Sequence, residues 1–267
     1  QRLGQSIIVD NKPGASGIIA AQYVKSAPHD GYTFYVTDTM SISTSGMVSP
    51  MATINPKKDF IPVALVARAP NFLAISPDIP ANNITEFANY VKSKPGTLNY
   101  GSSGIGSPHH LAMEALQQSL NLEMVHVPFK GSSQSVPALV SGQVQAVYAA
   151  YPSLVGFAKD GRVKIIGAAS LKPSKLAPSI PAIGAQVPGY EYVHVIGLFA
   201  PTDIPVEVIK RLDTELSQMA KMPSIAEPYI PMGIEFDYVP LEEGKKHLQE
   251  EGIKIEKLVT SAKIKMQ

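Results

Sequence analysis

The stretch Leu98-Asn-Tyr-Gly-Ser-Ser-Gly-Ile-Gly-Ser-Pro-His-His-Leu111 predicts a strand, a glycine-serine loop and the first turn of a helix in direct succession. Residues 98–100 are strand-like, and the glycines of residues 101–106 give the backbone freedom beside a ligand. Ser107 before Pro108 is typical of a helix N-cap followed by proline at the first helical position. The free N–H groups and the dipole of this helix point into the loop, which is therefore suited to a carboxylate or a phosphate.

This loop matches neither of two common nucleotide-binding patterns. Gly101 and Gly106 have Walker A spacing, but Ser107 stands where that pattern needs lysine. A dinucleotide fingerprint starting at Gly104 would need its third glycine where this chain has His109. No cofactor is therefore expected. A tight turn without any ligand stays open, because glycine-serine loops often precede helices.

The composition limits the classes of protein and of partner. A length of 267 residues favours two modest domains. Lys and Arg number 23 against 22 Asp and Glu, with no basic block, so neither nucleic acid nor an anionic membrane is expected as a partner. No apolar run is long enough to span a membrane, and no signal peptide is visible at Gln1. Residues 1–4 instead read as the end of a helix, so an upstream piece is expected. Cysteine is absent, which excludes disulfides.

The order of the predicted elements indicates an α/β fold. Strands at residues 6–9 and 32–37 flank a helix at residues 16–26, and this βαβ order predicts a mostly parallel sheet with helices on its faces. The same order returns after residue 98. We expect helices there from residues 108 and 134, and a third after residues 151–153 that ends near residues 160–161, each following a strand: 98–100, 124–127 and 145–149.

Two later regions complete the prediction. Helices are predicted at residues 205–221 and 241–264, the second interrupted by Gly252. Residues 38–49 are polar and are expected to form a loop at the carboxyl end of a strand, where open α/β sheets bind ligands. Thr37 and Thr39 are therefore candidate hydrogen-bond donors to a ligand.

A hydrolase is the alternative function. A Ser-His pair could be drawn from Ser103 or Ser107 with His109 or His110. The chain has no Gly-x-Ser-x-Gly elbow and no obvious acid to orient an imidazole, so we expect no enzyme. His109 and His110 are expected to cap the first helical turn at the surface, and two other histidines to be half-buried in strands: His126 and His194. The spacing of His and acidic residues predicts no metal site.

Several segments, taken in order, resemble the Bug family, the periplasmic receptors of tripartite tricarboxylate transporters. The resemblance covers essentially the whole chain, and the number and order of the segments make it specific. The matching segments are residues 2–5, 9–15, 27–32, 57–63, 95–104, 125–131 and 197–201.

The resemblance implies a periplasmic, monomeric solute-binding protein with two lobes that close over a small organic acid in the interlobe cleft. Lobe one would hold residues 1–98 and 199–267, and lobe two residues 99–198. The implied partners are the organic acid and the membrane subunits of the transporter. The protein itself would not span the membrane.

The resemblance also implies which residues bind the ligand, through backbone N–H groups, hydroxyls and ordered waters. They are Thr37, Thr39, Ser102, Ser103, Gly106, Ser107, Lys130, Gly131, Ser132, Ala149 and Tyr151. Two departures from the family pattern matter. The family's opening strand and Pro-Gly-Gly loop lie upstream of the first residue here. An acidic Asp-Asn pair is replaced by Ala149-Ala150, which favours a neutral or aromatic-bodied acid, walled by Tyr148 or Tyr151, over an amino-group ligand.

Overall fold

The computed structural model describes residues 3–12, 17–48, 54–262 and 264. The chain divides into two compact units. Unit one comprises Gln1–Ala67, Val195–Glu227 and Phe236–Ile255, and unit two comprises Arg68–His194, Pro228–Glu235 and Glu256–Gln267. No helix among the described residues is both long and apolar enough to cross a membrane.

The elements alternate between helix and strand along most of the chain. The first half contains α1 (Ile18–Ser26), β1 (Tyr35–Asp38), α2 (Thr39–Val48), α3 (Pro56–Asp59), β2 (Phe60–Ala69), β3 (Asn71–Ile75), α4 (Ile84–Lys92), β4 (Asn99–Ser102) and α5 (Pro108–Leu120). The second half contains β5 (Val125–Pro128), α6 (Ser132–Val140), β6 (Ala146–Ala150), α7 (Tyr151–Lys159), β7 (Lys164–Ala168), β8 (His194–Pro201), α8 (Val206–Met219), α9 (Pro223–Ala226), β9 (Glu235–Pro240) and α10 (Leu241–Ser261).

Unit one is built on a four-stranded sheet in the order β1-β8-β2-β9. β1 pairs with β8 in the antiparallel sense, with Tyr35 opposite Phe199. The neighbour of β1 is thus a strand from late in the chain, and this pair is not the parallel one that the βαβ order predicts. Behind the sheet, Val63 and Ala200 pack with Ile209 of the amphipathic helix α8.

Unit two is built on a five-stranded sheet in the order β5-β4-β6-β3-β7. β4 runs parallel to both β5 and β6, whereas β3 is antiparallel to its neighbours β6 and β7. Four strands therefore share one direction, as a mostly parallel sheet requires. Phe72, Leu73, Ala74 and Ile75 of β3 are completely buried, because helices cover both faces of a central strand.

The position of β3 moves the predicted boundary between the two halves of the chain. The family resemblance implies that residues 68–98 belong to lobe one, but β3 is hydrogen-bonded within the sheet of unit two. The boundary of the compact unit accordingly lies between Ala67 and Arg68. The sequence pattern could not show this, because strand partners are chosen by tertiary contacts.

Three other local predictions differ from the structure. Residues 6–9 form no strand, and Ile7, Ile8 and Val9 are exposed, because a strand needs a hydrogen-bonded neighbour that the described residues do not supply. α10 continues through Gly252 without a break. The predicted helix end at residues 1–4 lies partly outside the described residues.

Within the polar segment 38–49, residues 39–48 form the helix α2 and not a loop, and residue 49 lies outside the described residues. The Asp38 carboxylate accepts the Ser41 backbone N–H at 2.9 Å and the Ser41 hydroxyl at 2.6 Å. This is a helix N-cap, and an aspartate at the end of a strand was the sequence signal for it.

Candidate anion-binding site

Three helix N-termini lie along one edge of the unit-two sheet. The strands β5, β4 and β6 are adjacent and parallel, so their carboxyl ends share that edge. Each is followed by a helix, so α6, α5 and α7 begin at Ser132, Pro108 and Tyr151. The first N–H groups of a helix lack intrahelical acceptors, and its dipole is positive at that end. This edge can therefore bind an anion.

The central loop between β4 and α5 matches the sequence prediction. The Ser107 side chain accepts the N–H of His110 at 3.3 Å and caps α5, and Pro108 is the first helical residue. Gly106 has a φ of 73°, in the left-handed region that favours glycine. Its N–H donates to His110 Nδ1 at 3.0 Å. The loop is thus held to the helix that it precedes.

Two further imidazoles hold the serines of the same loop. Ser103 Oγ lies 2.8 Å from His109 Nδ1, and Ser102 Oγ lies 2.6 Å from His126 Nε2. The Ser102 hydroxyl also contacts both backbone polar groups of Gly104, at 3.0 and 3.1 Å. Three polar groups of one short loop are therefore each bound to a different histidine.

Two of these histidines are buried and the third, His126, is half-buried, and the loss of solvation keeps all three neutral. His109 and His110 are 8% and 5% exposed, and burial, followed by the charge of a neighbouring imidazole, lowers each pKa to about 3. Burial likewise lowers the pKa of His126 to about 4. The rings of His110 and His126 stack with centroids 3.9 Å apart. The expectation that His109 and His110 lie at the surface is wrong, because both face the interior beneath the loop, whereas the half-buried position of His126 and His194 is confirmed.

Sequence reasoning missed Asn71. This residue begins β3 opposite Ala150 and so lies at the edge where α7 begins. It is 1% exposed, its Oδ1 lies 3.1 Å from His109 Nε2, and its Nδ2 has no hydrogen-bond partner among the described residues. The available signal was a polar residue at the start of an otherwise apolar strand.

Ser103, His109 and Asn71 follow one another in the order of a nucleophile, a base and an orienting amide. The pKa of His109, about 3, makes its imidazole a poor base at neutral pH, where a catalytic base needs a pKa near 7. The arrangement therefore fixes the loop and does not activate Ser103.

The second loop leads into α6. Gly131 is the N-cap, with a φ of 146° and no side-chain cap, so the N–H groups that follow it are not covered by a capping side chain. The backbone N–H of Lys130 donates to Gln134 Oε1 at 3.1 Å, and the Lys130 side chain is exposed. Ser132 is half-buried at the first helical position. A lysine beside an open helix N-terminus adds to the attraction for an anion.

The third loop is tighter and more apolar. Ala149 is completely buried in β6 opposite Phe72, and Tyr151 is half-buried with its ring 5.2 Å from that of Phe72. Tyr148 is not a wall of an open site, because it is completely buried and its hydroxyl accepts from Tyr190 at 2.7 Å. Of the two tyrosines, only Tyr151 is still predicted to form a wall of the ligand site.

The exposure of the remaining predicted residues varies within unit two. Ser103 and Ser107 are half-buried, whereas Gly106 and Ser102 are buried. Ser102 is completely buried and bonded within its own loop, so it shapes the loop from inside. The participation of these residues in ligand binding stays a prediction.

The two predicted threonines belong to unit one. Thr39 is completely buried, and its hydroxyl donates to Glu251 Oε1 at 3.0 Å. Ser43 donates to the other oxygen of Glu251 at 3.1 Å. Thr37 is half-buried in β1, opposite Gly197. In the part of the chain that the structure describes, no group of three or more His, Asp or Glu residues is arranged to hold a metal ion.

An α/β fold of two compact units is the architecture of periplasmic solute-binding proteins. The sequence profile of the tripartite tricarboxylate transporter family receptor matches residues 1–264. The chain belongs to this family, which consists of binding proteins and not of enzymes. It is 33% identical to a UPF0065 protein from the tcbD-tcbE intergenic region of Pseudomonas sp. strain P51, over 88% of this chain and 70% of that protein.

Solved structures agree with this assignment. An R. palustris protein solved with adipate superimposes with a TM-score of 0.84 at 30% identity, covering 98% of this chain and 90% of the other. The periplasmic binding protein BugD superimposes with a TM-score of 0.80 at 26% identity, covering 100% of this chain and 90% of BugD. MatC from Rhodopseudomonas palustris with bound malate superimposes with a TM-score of 0.76 at 28% identity, covering 97% of this chain and 89% of MatC.

Proposed function

We propose that this protein captures a small organic acid in the periplasm and delivers it to the membrane subunits of a tripartite tricarboxylate transporter. The carboxylate is held at the edge of the unit-two sheet by the N-termini of α5 and α6. The single observation that carries the proposal is the alignment of these helix N-termini at one edge. The dicarboxylates found in two related structures, adipate and malate, support the choice of a carboxylate over a phosphate.

The binding groups follow from which polar atoms are already used. The Ser107 oxygen accepts from His110, so its own proton can be donated to the acid. The N–H groups after Gly131 and the exposed Lys130 reach the same edge from the neighbouring loop. The body of the acid packs against Tyr151. These donors are neutral or positively charged, so they suit an acid without an amino group.

A thermal-shift screen identifies the class of acid. Monocarboxylates, dicarboxylates, tricarboxylates, aromatic acids and amino acids are tested against the purified chain. An acid at about 100 times its dissociation constant stabilises the folded state by roughly 2.7 kcal/mol, which corresponds to a shift of several degrees. A shift with carboxylates that are recovered unchanged supports the proposal, whereas no shift with any acid contradicts it.

A pair of cap variants separates binding from folding. Ser107→Ala removes the cap of α5 at the proposed site, and Asn83→Ala removes the cap of α4, where Asn83 accepts the Glu86 N–H at 2.9 Å. α4 follows β3, whose direction is opposite to that of β4. The N-terminus of α4 therefore lies at the edge of the sheet opposite to the proposed site. Both variants should lose about 0.5 to 2 kcal/mol of stability. Only Ser107→Ala should also lose affinity in calorimetry, and equal affinity in the two variants would reduce Ser107 to a cap.

A further inference from the structure

Ser103, His109 and Asn71 form a chain of hydrogen-bonding groups whose directions can be derived. Ser103 Oγ lies 2.8 Å from His109 Nδ1, and His109 Nε2 lies 3.1 Å from Asn71 Oδ1. An amide oxygen only accepts, so His109 Nε2 must carry the proton and donate it to Asn71. His109 is neutral at pH 7, because burial lowers its pKa to about 3. A neutral imidazole has one N–H, and Nδ1 is therefore an acceptor.

The Ser103 hydroxyl must then donate its only proton to His109 Nδ1. What Ser103 presents to a ligand is an oxygen with lone pairs and no proton. A carboxylate oxygen in contact with it would be repelled, whereas a ligand O–H or N–H would be accepted. Ser103 is half-buried, so the residue is within reach of a ligand.

Ser107 has the opposite polarity in the same loop. Its oxygen accepts the His110 N–H at 3.3 Å, which leaves its proton available to a ligand acceptor. The loop therefore offers a donor at Ser107, at the helix N-terminus, and an acceptor at Ser103, four residues earlier. Two serines that look alike in sequence contact chemically different parts of a ligand.

We infer that the buried Asn71–His109 pair makes Ser103 a specificity-determining hydrogen-bond acceptor, which selects acids that carry a hydroxyl next to the carboxylate. This inference rests on the proposed function, because it assumes that a carboxylate binds beside Ser107. Asn71 and His109 act through Ser103 and are positioning residues. Asn71 keeps the imidazole in one tautomer, and the imidazole keeps the serine proton away from the ligand.

Calorimetry with matched acids tests the inference. Malate is compared with succinate, lactate with propionate, and mandelate with phenylacetate, since each pair differs only by the 2-hydroxyl group. For the pair that binds, we expect the hydroxy acid to bind about 2- to 12-fold more tightly, which is the range of one neutral hydrogen bond. Ser103→Ala should reduce this ratio to about 1 without weakening the binding of the deoxy acid. Ser107→Ala is the control, which should weaken both acids and leave their ratio unchanged.

Two variants of Asn71 test the relay. Asn71→Asp keeps an acceptor-only oxygen on His109 Nε2, so the ratio should be retained. Asn71→Leu removes the acceptor and frees His109 to take the other tautomer, so the ratio should fall toward 1. Nitrogen-15 NMR of the imidazole should show the proton on Nε2 in the wild type and in Asn71→Asp, a readout that simple packing would not change.

The outcomes separate the inference from the proposed function. Acids that bind with no preference for the hydroxyl, or a wild-type His109 protonated on Nδ1, would overturn the inference and leave the proposed function standing. Failure of every acid to bind would overturn the proposed function and the inference with it. A hydroxyl preference that survives Ser103→Ala would also overturn the inference, since another group would then be responsible.

Discussion

Hydroxyl groups near strand ends have different partners in the two units. In unit one, Thr39 and Ser43 both donate hydrogen bonds to the Glu251 carboxylate, so neither hydroxyl proton is free for a ligand. In unit two, Ser102 and Ser103 contact the neutral imidazoles of His126 and His109. A carboxylate can only accept, whereas a neutral imidazole can donate or accept according to its other partner.

This difference shows that a serine or threonine near a strand end does not necessarily have a proton that it can donate to a ligand. Whether the hydroxyl proton is available depends on the protein group to which the hydroxyl is hydrogen-bonded. For Thr39 that group is the Glu251 carboxylate, and Thr39 is completely buried. The Ser103 hydroxyl is bonded to the His109 imidazole, whose other nitrogen contacts the buried Asn71 amide, and Ser103 itself is half-buried. Unit two should therefore be sensitive to changes that affect imidazoles, and unit one to changes at Glu251.

Acid should destabilise unit two more than unit one, and this is the largest expected effect. The pKa values of His109, His110 and His126 lie at about 3, 3 and 4 in the folded protein, below the ordinary 6.5. Between about pH 3 and 6.5 the unfolded chain binds more protons, so stability falls as the pH drops through this window and is constant above it. Burial raises the pKa of Glu114, which opposes part of the loss.

From pH 7 to 5 we expect a net loss of about 2 to 4 kcal/mol in unit two, at roughly 1 to 2 kcal/mol per buried histidine before the offset. The measurement is hydrogen exchange of core amides in β3 and β6, corrected for the intrinsic exchange rate, against those in β8. His126→Gln should reduce the loss by removing one titrating group. An equal loss of protection in both units would contradict the prediction.

Removing the acceptor in unit one should have the next largest effect. Glu251→Ala leaves the buried Thr39 and Ser43 hydroxyls without their acceptor, which should cost about 1 to 3 kcal/mol. Glu251→Gln retains one acceptor oxygen and should cost less. Urea denaturation measures both values. The affinity of either folded variant for the acid should equal that of the wild type, and a loss of affinity would show that this cluster contacts the ligand.

A pair of glycine substitutions gives the smallest stability effect. Gly106 and Gly142 have φ values of 73° and 80°, so an alanine at either position should cost about 1 to 2 kcal/mol of backbone strain. Gly142 lies at the end of α6, with open space where a side chain would be. Gly106→Ala should in addition weaken acid binding, because the N–H bonded to His110 shifts. Equal affinity in the two variants would show that the loop tolerates the change.

Much of the fold could be predicted from local sequence signals. α5 begins at the predicted residue because Ser107 and Pro108 mark its start. Strand partners could not be predicted, since the antiparallel pairing of β1 with β8 joins residues far apart in the sequence. The start of α2 has a local signal in Asp38, which caps the helix, whereas the polar composition of the segment favours a loop.

The candidate site was only partly visible in the sequence. The glycine-serine loops and the order of strands and helices indicated an anion site at helix N-termini. The burial of His109 and His110 could not be read from two adjacent polar residues at a helix start, because both turn toward the interior. Asn71 comes close to His109 only through the pairing of β3 with β6, a tertiary contact without a local signal.

Amide NMR during titration with the best acid from the screen tests the central claim most directly. The claim is that the carboxylate binds to the helix N-termini at the unit-two sheet edge. The account predicts the largest chemical shift changes at the backbone N–H groups of His109, Gly131 and Ser132. Changes concentrated instead at the depression of about 420 Å³ lined by Lys159, Lys164 and Ile166, with these three amides unmoved, would contradict it.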